Sequence, residues 1–189
     1  MTDITEKQAI DLFLEQTNDR NHMSPTDTYQ AAIVAEKPEY LKLRLICTKN
    51  NVQIKGDLDT VKNPVGVLTS ISDGVNMARS NPDLLNKILR LINRLQWNGY
   101  ENATEGKAYS AKVLRVLKKL YSYYPNNEQE LEKILLTYCK GAKYFRDNLA
   151  ELGQDSLFDH LAGIVGNNMD SNVVVPIAVK QPRRKIKEG

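Results

Sequence analysis

The sequence predicts an α+β fold that is predominantly α: a helical bundle of about six helices with a small β-hairpin and a flexible basic C-terminal arm. Most apolar residues recur at helical spacing, one stretch alternates apolar and polar residues, and the last ten residues are basic with almost nothing apolar. We expect one globular domain over residues 1–170, with N-terminal helices and the hairpin in 1–60 and a helical core in 61–170. An extended segment and basic tail occupy residues 171–189.

The composition is typical of a globular protein. Of the 189 residues, 41% are hydrophobic and 26% are charged, which is ordinary for a domain able to bury a core. No apolar run approaches the roughly 18 residues of a membrane span, and the acidic first residues are unlike a signal peptide. Two cysteines, Cys47 and Cys139, are too few for a disulfide framework, so we expect reduced, buried thiols in a cytoplasmic protein.

Two helices are expected before residue 38. Asp3 and Glu6 resemble a capping box for a helix over residues 4–16. The apolar residues at helical spacing there are Ile4, Ala9, Ile10, Phe13 and Leu14. Ser24 then serves as the N-cap of a second helix, with Pro25 at its first position. That helix must end before Pro38, because the residue preceding a proline disfavours helical geometry.

From Tyr40 the apolar spacing changes to 2, which is typical of strands. The alternating apolar residues are Leu41, Leu43 and Leu45, then Val52, Ile54 and Leu58. Turn-forming residues occupy positions 48–51, so we expect a β-hairpin with one buried face. A lone hairpin is marginally stable, and residues 172–179 offer a third strand that Pro176 restricts to an edge.

Helices account for most of the remaining chain. We interpret residues 65–79 as a helix and expect the next one to begin at Asn81 and close at Gly99. A polar loop over 100–106 leads to a helix over 107–124, which stops at a proline.

Two further helices complete the expected core. Asn127 caps a long helix whose basic residues Lys140, Lys143 and Arg146 lie towards its end, as the helix dipole favours. Ser156 begins a short last helix that ends at residues 166–168.

Two of the expected helices carry nine-residue stretches that match in residue type at eight positions. Residues 87–95 read KILRLINRL and residues 112–120 read KVLRVLKKL. At about 100° per residue, the first, fourth and eighth positions share one side of a helix. We call Lys87, Arg90 and Arg94 the first stripe, and Lys112, Arg115 and Lys119 the second stripe. Neither 86–95 nor 111–124 contains an acid, whereas ordinary solvated helices alternate charge signs.

The charge distribution favours a polyanionic partner for these stripes. Residues 61–150 hold 14 Lys or Arg against 8 Asp or Glu, and residues 1–60 hold 7 against 10. We predict a non-enzymatic nucleic-acid-binding protein that contacts the phosphate backbone largely independently of sequence, with DNA and RNA both compatible. The expected contact residues are Lys87, Arg90, Arg94, Lys112, Arg115, Lys118, Lys119, Arg183, Arg184 and Lys185.

Two alternatives to that function stay open. The stripes also fit helices that match by chance, whose cations serve solubility or pair with acids elsewhere in the chain. In a different functional class, the protein is a self-associating structural or scaffold subunit of a larger assembly that docks through its C-terminal arm.

The sequence contains no recognisable catalytic, metal or cofactor motif. His160 lies beside Asp159, but adjacent residues on a helix do not face each other, and no nucleophile falls at a suitable spacing. Two histidines and two cysteines build no zinc site of familiar spacing. The acids that follow Asn127 are explained by the helix dipole. We therefore expect no enzymatic activity, no metal and no cofactor.

Overall fold

The computed structural model describes residues 8–9, 23–57, 61–100 and 107–169. Within those ranges helices dominate, which confirms the predominantly α, α+β class. The helices are α1 Pro25–Val34, α2 Pro38–Lys49, α3 Ile71–Ser80, α4 Pro82–Leu95, α5 Ala111–Tyr123, α6 Glu128–Tyr138, α7 Ala142–Tyr144 and α8 Gln154–Asn168. A 3₁₀ turn, Trp97–Tyr100, follows α4, and a π-helical turn, Phe145–Leu149, follows α7. Two short strands, β1 Val52–Ile54 and β2 Gly66–Leu68, complete the fold.

The two strands pair in parallel, so the expected hairpin is wrong. Val52 lies opposite Gly66, and Ile54 lies opposite Leu68. All strand residues are buried, as is usual for parallel strands, which are covered on both faces. A Cβ atom added at Gly66 would lie 2.3 Å from the ring of Tyr109, so only glycine allows that ring to lie against β2.

The first half of the expected hairpin is the helix α2. Pro38 occupies its first turn, where the missing N–H has no helical partner to lose. The buried residues of α2 are Leu43, Ile46 and Cys47, which recur at helical spacing. Leu41 and Leu45, which alternate with Leu43 in the sequence, are exposed.

Several helix ends agree with the sequence and others are displaced. Ser24 accepts a hydrogen bond from the Asp27 N–H at 3.1 Å, and Asn81 caps α4 through the Leu84 N–H at 3.0 Å. The helix expected over 65–79 begins only at Ile71, because residues 66–68 form β2. The helix after Asn81 ends at Leu95 instead of reaching Gly99.

The long helix after Asn127 is shorter than expected. It ends at Tyr138, so Lys140, Lys143 and Arg146 lie in the turns that follow it. Gly141 adopts a φ of 113° there, a conformation that interrupts the helix and suits glycine.

The core is centred on α4 and α5, which contact each other. Helices α2, α3 and α6 pack on α4, and α8 packs on both α5 and α6. Each central helix buries six residues. They are Leu85, Ile88, Leu89, Leu91, Ile92 and Leu95 of α4, and Val113, Leu114, Val116, Leu117, Leu120 and Tyr121 of α5.

A pair of reciprocal hydrogen bonds ties the end of α4 to the turn after α6. The indole N–H of Trp97 donates to the Cys139 carbonyl at 2.7 Å, and the Gly141 N–H donates to the Leu95 carbonyl at 2.8 Å. The Trp97 ring also packs on Phe145, with a centroid distance of 5.2 Å. We call these contacts the Trp97 clamp.

Several expectations fall outside the described residues. They are the N-terminal helix over 4–16, apart from residues 8 and 9, which are helical, most of the 100–106 loop, the edge strand over 172–179, and the basic tail. None of the described helices has both the length and the apolar composition needed to cross a lipid bilayer.

Candidate nucleic-acid interface

The first stripe faces the acidic start of α6. Lys87 forms an ion pair with Glu128, and Arg94 forms one with Glu132. Glu128 and Glu132 are one helical turn apart on α6, so both meet α4 along the same side. The Tyr121 hydroxyl also donates to Glu132 at 2.8 Å. Two of the three cations in the first stripe therefore join α4 to α6.

Arg90, the middle member of the first stripe, is exposed and forms no ion pair with another described residue. It lies near Tyr121. Burial raises the pKa of Tyr121, the hydrogen bond to Glu132 raises it further, and the charge of Arg90 opposes both. Arg90 is thus the cation of the first stripe that faces solvent without a carboxylate partner among the described residues.

Lys112, at the start of the second stripe, has a structural role. Its ammonium donates to the Ala150 and Leu152 carbonyls, each at 2.7 Å. These carbonyls follow the π-helical turn, where the main chain lacks helical donors. Burial lowers the pKa of Lys112.

Arg115 forms a two-pronged ion pair with Asp73 at the start of α3. The guanidinium donates to the two carboxylate oxygens at 2.7 and 2.9 Å, and Ser70 donates to the same carboxylate at 2.6 Å. Burial by itself would raise the pKa of Asp73, but the hydrogen bonds from Arg115 and Ser70 outweigh burial and lower it. Lys118 lowers it further through its charge.

Lys119 completes the second stripe. Its ammonium lies 3.7 Å from the centre of the Phe158 ring of α8, a cation–π contact. Lys118, which belongs to neither stripe, is exposed and forms no ion pair with another described residue. Arg115, Lys118, Lys119 and Ser122 are all exposed on one side of α5, and we call these four residues the α5 outer face.

The structure separates the two stripes. The first is directed to α6, whereas Lys112 and Lys119 contact the segment from the π-helical turn into α8, and Arg115 contacts α3. Arg183, Arg184 and Lys185 lie outside the described residues. The expected contact residues therefore fall into three groups. One group lies on the α5 outer face, Arg90 stands apart from it, and the remaining described cations contact other parts of the fold.

Sequence reasoning missed the acids that engage the stripes. The helix dipole explains acids at the start of α6, but the one-turn spacing of Glu128 and Glu132 also suits pairing with a neighbouring basic helix. Asp73 lies about 40 residues from Arg115 in sequence, and no local signal connects the two residues.

Other reactive side chains are buried or engaged. Cys47 and Cys139 are unpaired and buried, and burial raises the pKa of both thiols, which makes them poor nucleophiles. His160 Nε2 lies 2.9 Å from the Tyr144 hydroxyl. Tyr123 packs edge-on against Tyr124 and Phe158, so this aromatic cluster belongs to the core. Within the described ranges, no group of three or more His, Cys, Asp and Glu side chains is placed to hold a metal ion.

Comparison of the chain with protein-family models, with curated proteins and with solved structures found no match.

Proposed function

We propose that the protein is a non-enzymatic, cytoplasmic nucleic-acid-binding protein that contacts the phosphate backbone through the α5 outer face. The observation that carries this proposal is the exposure of Lys118 and Lys119 on the side of a helix without any acid, where Lys118 forms no ion pair with another described residue. Lys119 lies over the Phe158 ring. Arg115 of the same face is already paired with Asp73, whose pKa the charge of Lys118 also lowers. Two unpaired, buried cysteines favour a reducing compartment.

The first stripe contributes less to this proposal. A phosphate that approached Lys87 or Arg94 would have to displace Glu128 or Glu132 and would be repelled by the carboxylate left behind. Arg90 is the exception, because it has no carboxylate partner among the described residues. The same competition applies to Arg115, which is paired with Asp73. The proposed contact set is therefore Lys118 and Lys119 of the α5 outer face with a contribution from Arg90, supplemented by Arg183, Arg184 and Lys185.

Binding should depend on salt and not on base sequence. Cations on a helix face contact phosphates, and each phosphate neutralised gives a slope of about 0.7 to 0.9 in log affinity against log salt. Base recognition requires side chains on an element that enters a groove and reaches base edges. The proposal assigns the lysines and arginines to phosphates, so it includes no contact to a base edge.

A fluorescence-anisotropy titration with a short labelled oligonucleotide at several salt concentrations tests the proposal. Lys118→Glu should weaken binding to every oligonucleotide and flatten the salt dependence, and Arg90→Glu should do so to a smaller extent. Lys133→Glu is the matched control, because Lys133 is an exposed α6 lysine that pairs with Glu130 at 3.5 Å. All three substitutions should change the free energy of unfolding by less than about 0.5 kcal/mol.

Two results would contradict the proposal. One is the absence of binding by the wild-type protein at concentrations of about 100 μM and low salt, where non-specific binding is normally detectable. The other is equal loss of affinity in Lys118→Glu and Lys133→Glu, which would show that net charge and not the α5 outer face determines binding.

A self-associating scaffold subunit is the second candidate, and exposed apolar residues on α1 and α2 favour it. Val34, Leu41 and Leu45 are all exposed, and exposed apolar residues that share a surface often mark an interface. Docking of the C-terminal arm onto β1 or β2 would require those buried strands to be uncovered first. Light scattering tests this candidate, since a monomer at about 100 μM would contradict an assembly held by a standard interface.

A further inference from the structure

Helix α2 has apolar residues on two opposite sides. Leu43, Ile46 and Cys47 are buried in the core, whereas Leu45 is 70% exposed and Leu41 is 39% exposed. Leu45 is the most exposed large apolar side chain in the part of the chain that the structure describes. A helix that is apolar on all sides is normally covered on all sides, so packing in the core does not account for these two leucines.

The two exposed leucines form a ridge along the outer side of α2. At about 100° per residue, Leu45 lies about 40° around the helix from Leu41 and one turn further along it. We call Leu41 and Leu45, with the neighbouring exposed Lys42 and Lys49, the α2 outer face. Apolar residues at such spacing are the contacts by which an amphipathic helix recognises a partner.

One border of this ridge is basic. Lys42 and Lys49 lie within about 60° of Leu45 around the helix, and they form no ion pair with another described residue. The single acid of α2, Glu39, falls about 160° around the helix from Leu41. The outer face of α2 therefore combines apolar and basic side chains without an acid of its own helix.

The other border of the ridge is already neutralised. Arg44 lies about 60° from Leu41 on that side, and its guanidinium pairs with the Asp57 carboxylate at 3.0 Å. Asp57 also accepts a hydrogen bond from the Tyr29 hydroxyl at 2.7 Å. A partner with acidic side chains would therefore meet its complementary charge at the lysine border and not at the arginine border.

Three other occupants fit the α2 outer face less well. Two copies of α2 packed through their leucines would bring basic borders towards one another, which opposes association. A helix that binds a membrane surface inserts a broad apolar face that is often aromatic, whereas α2 offers two leucines. A phosphate backbone would contact the lysines and leave the leucines uncovered.

We propose that the α2 outer face docks an acidic amphipathic helix of another protein. The apolar side of that helix packs over Leu41 and Leu45, and its acidic residues lie opposite Lys42 and Lys49. Because the face is small, the complex belongs to the weak and transient class of interface. The docking site lies on a different helix from the α5 outer face and does not depend on nucleic-acid binding.

A synthetic amphipathic peptide is the probe for this site. It carries leucine at alternating spacings of three and four residues, with glutamate beside each leucine. Fluorescence anisotropy of the labelled peptide should show saturable binding when full-length protein is added up to about 200 μM. The same peptide with lysine in place of glutamate should bind at least about tenfold more weakly, because it differs only in charge.

Variants of α2 locate the contact. Leu45→Asp should weaken binding of the glutamate peptide at least about tenfold, as the loss of a central apolar contact does. The double variant Lys42→Glu and Lys49→Glu should reverse the preference, so that the lysine peptide binds more tightly. Tyr138→Asp and Lys133→Glu are the matched controls, because each makes the same kind of change at an exposed residue of α6. Both should bind the glutamate peptide as the wild type does.

Three results would overturn the proposal. They are the absence of saturable binding, equal affinity for the two peptides, and an affinity that survives in both α2 variants. A dimer in light scattering that Leu45→Asp dissociates would assign the face to a second copy, and binding to anionic lipid vesicles that Leu45→Asp abolishes would assign it to a membrane surface. None of these measurements contains nucleic acid, so their failure is distinct from a failure of the function proposed for α5.

Discussion

Helices α4 and α5 contain nine-residue stretches that match in residue type at eight positions, yet their cations meet different partners. In α4, Lys87 and Arg94 pair with carboxylates of α6. In α5, the equivalent Lys112 donates to main-chain carbonyls and the equivalent Lys119 lies over an aromatic ring. The aliphatic sides of the two helices are both buried in the core.

The difference between the two helices shows what an amphipathic repeat determines. The spacing of apolar residues decides which side of each helix is buried. The partner of each cation depends on the element that packs beside it, which can lie about 40 residues away in sequence, as in the pairing of Lys87 with Glu128. A basic stripe on a helix therefore indicates which side of the helix is not buried, but it does not by itself indicate a ligand.

The largest expected effect tests whether the buried sides of α4 and α5 contribute equally to the core. Ile92 of α4 and Leu117 of α5 occupy the same position in the repeat, and both are buried. Ile92→Ala and Leu117→Ala should each lower the free energy of unfolding by about 2 to 5 kcal/mol, because each leaves a cavity between packed helices. Urea denaturation measures both. A loss below about 1 kcal/mol in either variant would show that its helix is not central to the core.

A smaller effect should separate the first residues of the stripes. Lys112→Met should lower the free energy of unfolding by about 1 to 3 kcal/mol, because two main-chain acceptors lose a charged donor. Lys87→Met removes an ion pair between half-exposed side chains and should cost less than about 1 kcal/mol. In roughly 1 M salt the cost of Lys87→Met should fall, whereas that of Lys112→Met should persist. Equal costs in both variants would contradict the distinct roles assigned to these lysines.

The smallest effect is the pH dependence of the Asp73–Arg115 pair. The pKa of Asp73 is lower in the folded protein than its ordinary value of 3.8. The pair therefore stabilises the fold above pH 3.8, and this contribution is lost as the pH falls through the lower folded pKa. Asp73→Asn should flatten this part of the curve of melting temperature against pH.

Arg115→Gln provides the check on that result. It should flatten the same part of the curve, and the double variant should show no further change, because both substitutions remove one interaction. A curve that keeps its wild-type slope in Asp73→Asn would assign the acid sensitivity to other carboxylates.

The class of the fold and the buried sides of α4 and α5 could be predicted. Apolar residues that recur at helical spacing over about ten residues leave little ambiguity between helix and strand. Local capping chemistry was also readable, since Ser24 and Asn81 act on N–H groups only three residues away. These features depend on neighbours in sequence and need no knowledge of tertiary contacts.

The α2 error has a physical reason. A short run of alternating leucines fits a strand when only its apolar residues are considered. The signals for helix were Pro38 at the first position, Glu39 in the first turn and the strong helix propensity of leucine, lysine and arginine. The hairpin prediction also assumed that Leu41, Leu43 and Leu45 are all buried on one face, whereas Leu41 and Leu45 are exposed.

The candidate site was less predictable than the fold. The positions of the stripe cations on their helices followed from spacing, but their engagement with Asp73, Glu128 and Glu132 requires the packing of α3 and α6 to be known. Charge distribution alone favours a polyanionic partner for both stripes. Most of these cations instead have partners inside the fold.

The Trp97 clamp has a consequence for dividing the chain. A fragment that ends at Tyr100 retains an indole N–H and a Leu95 carbonyl whose partners lie near Cys139 and Gly141. It would also expose the side of α4 that α5 and α6 cover. Two fragments separated between residues 100 and 107 should therefore each be poorly structured alone and recover the native fold only when mixed, so the two halves of this sequence suit a split-protein complementation design.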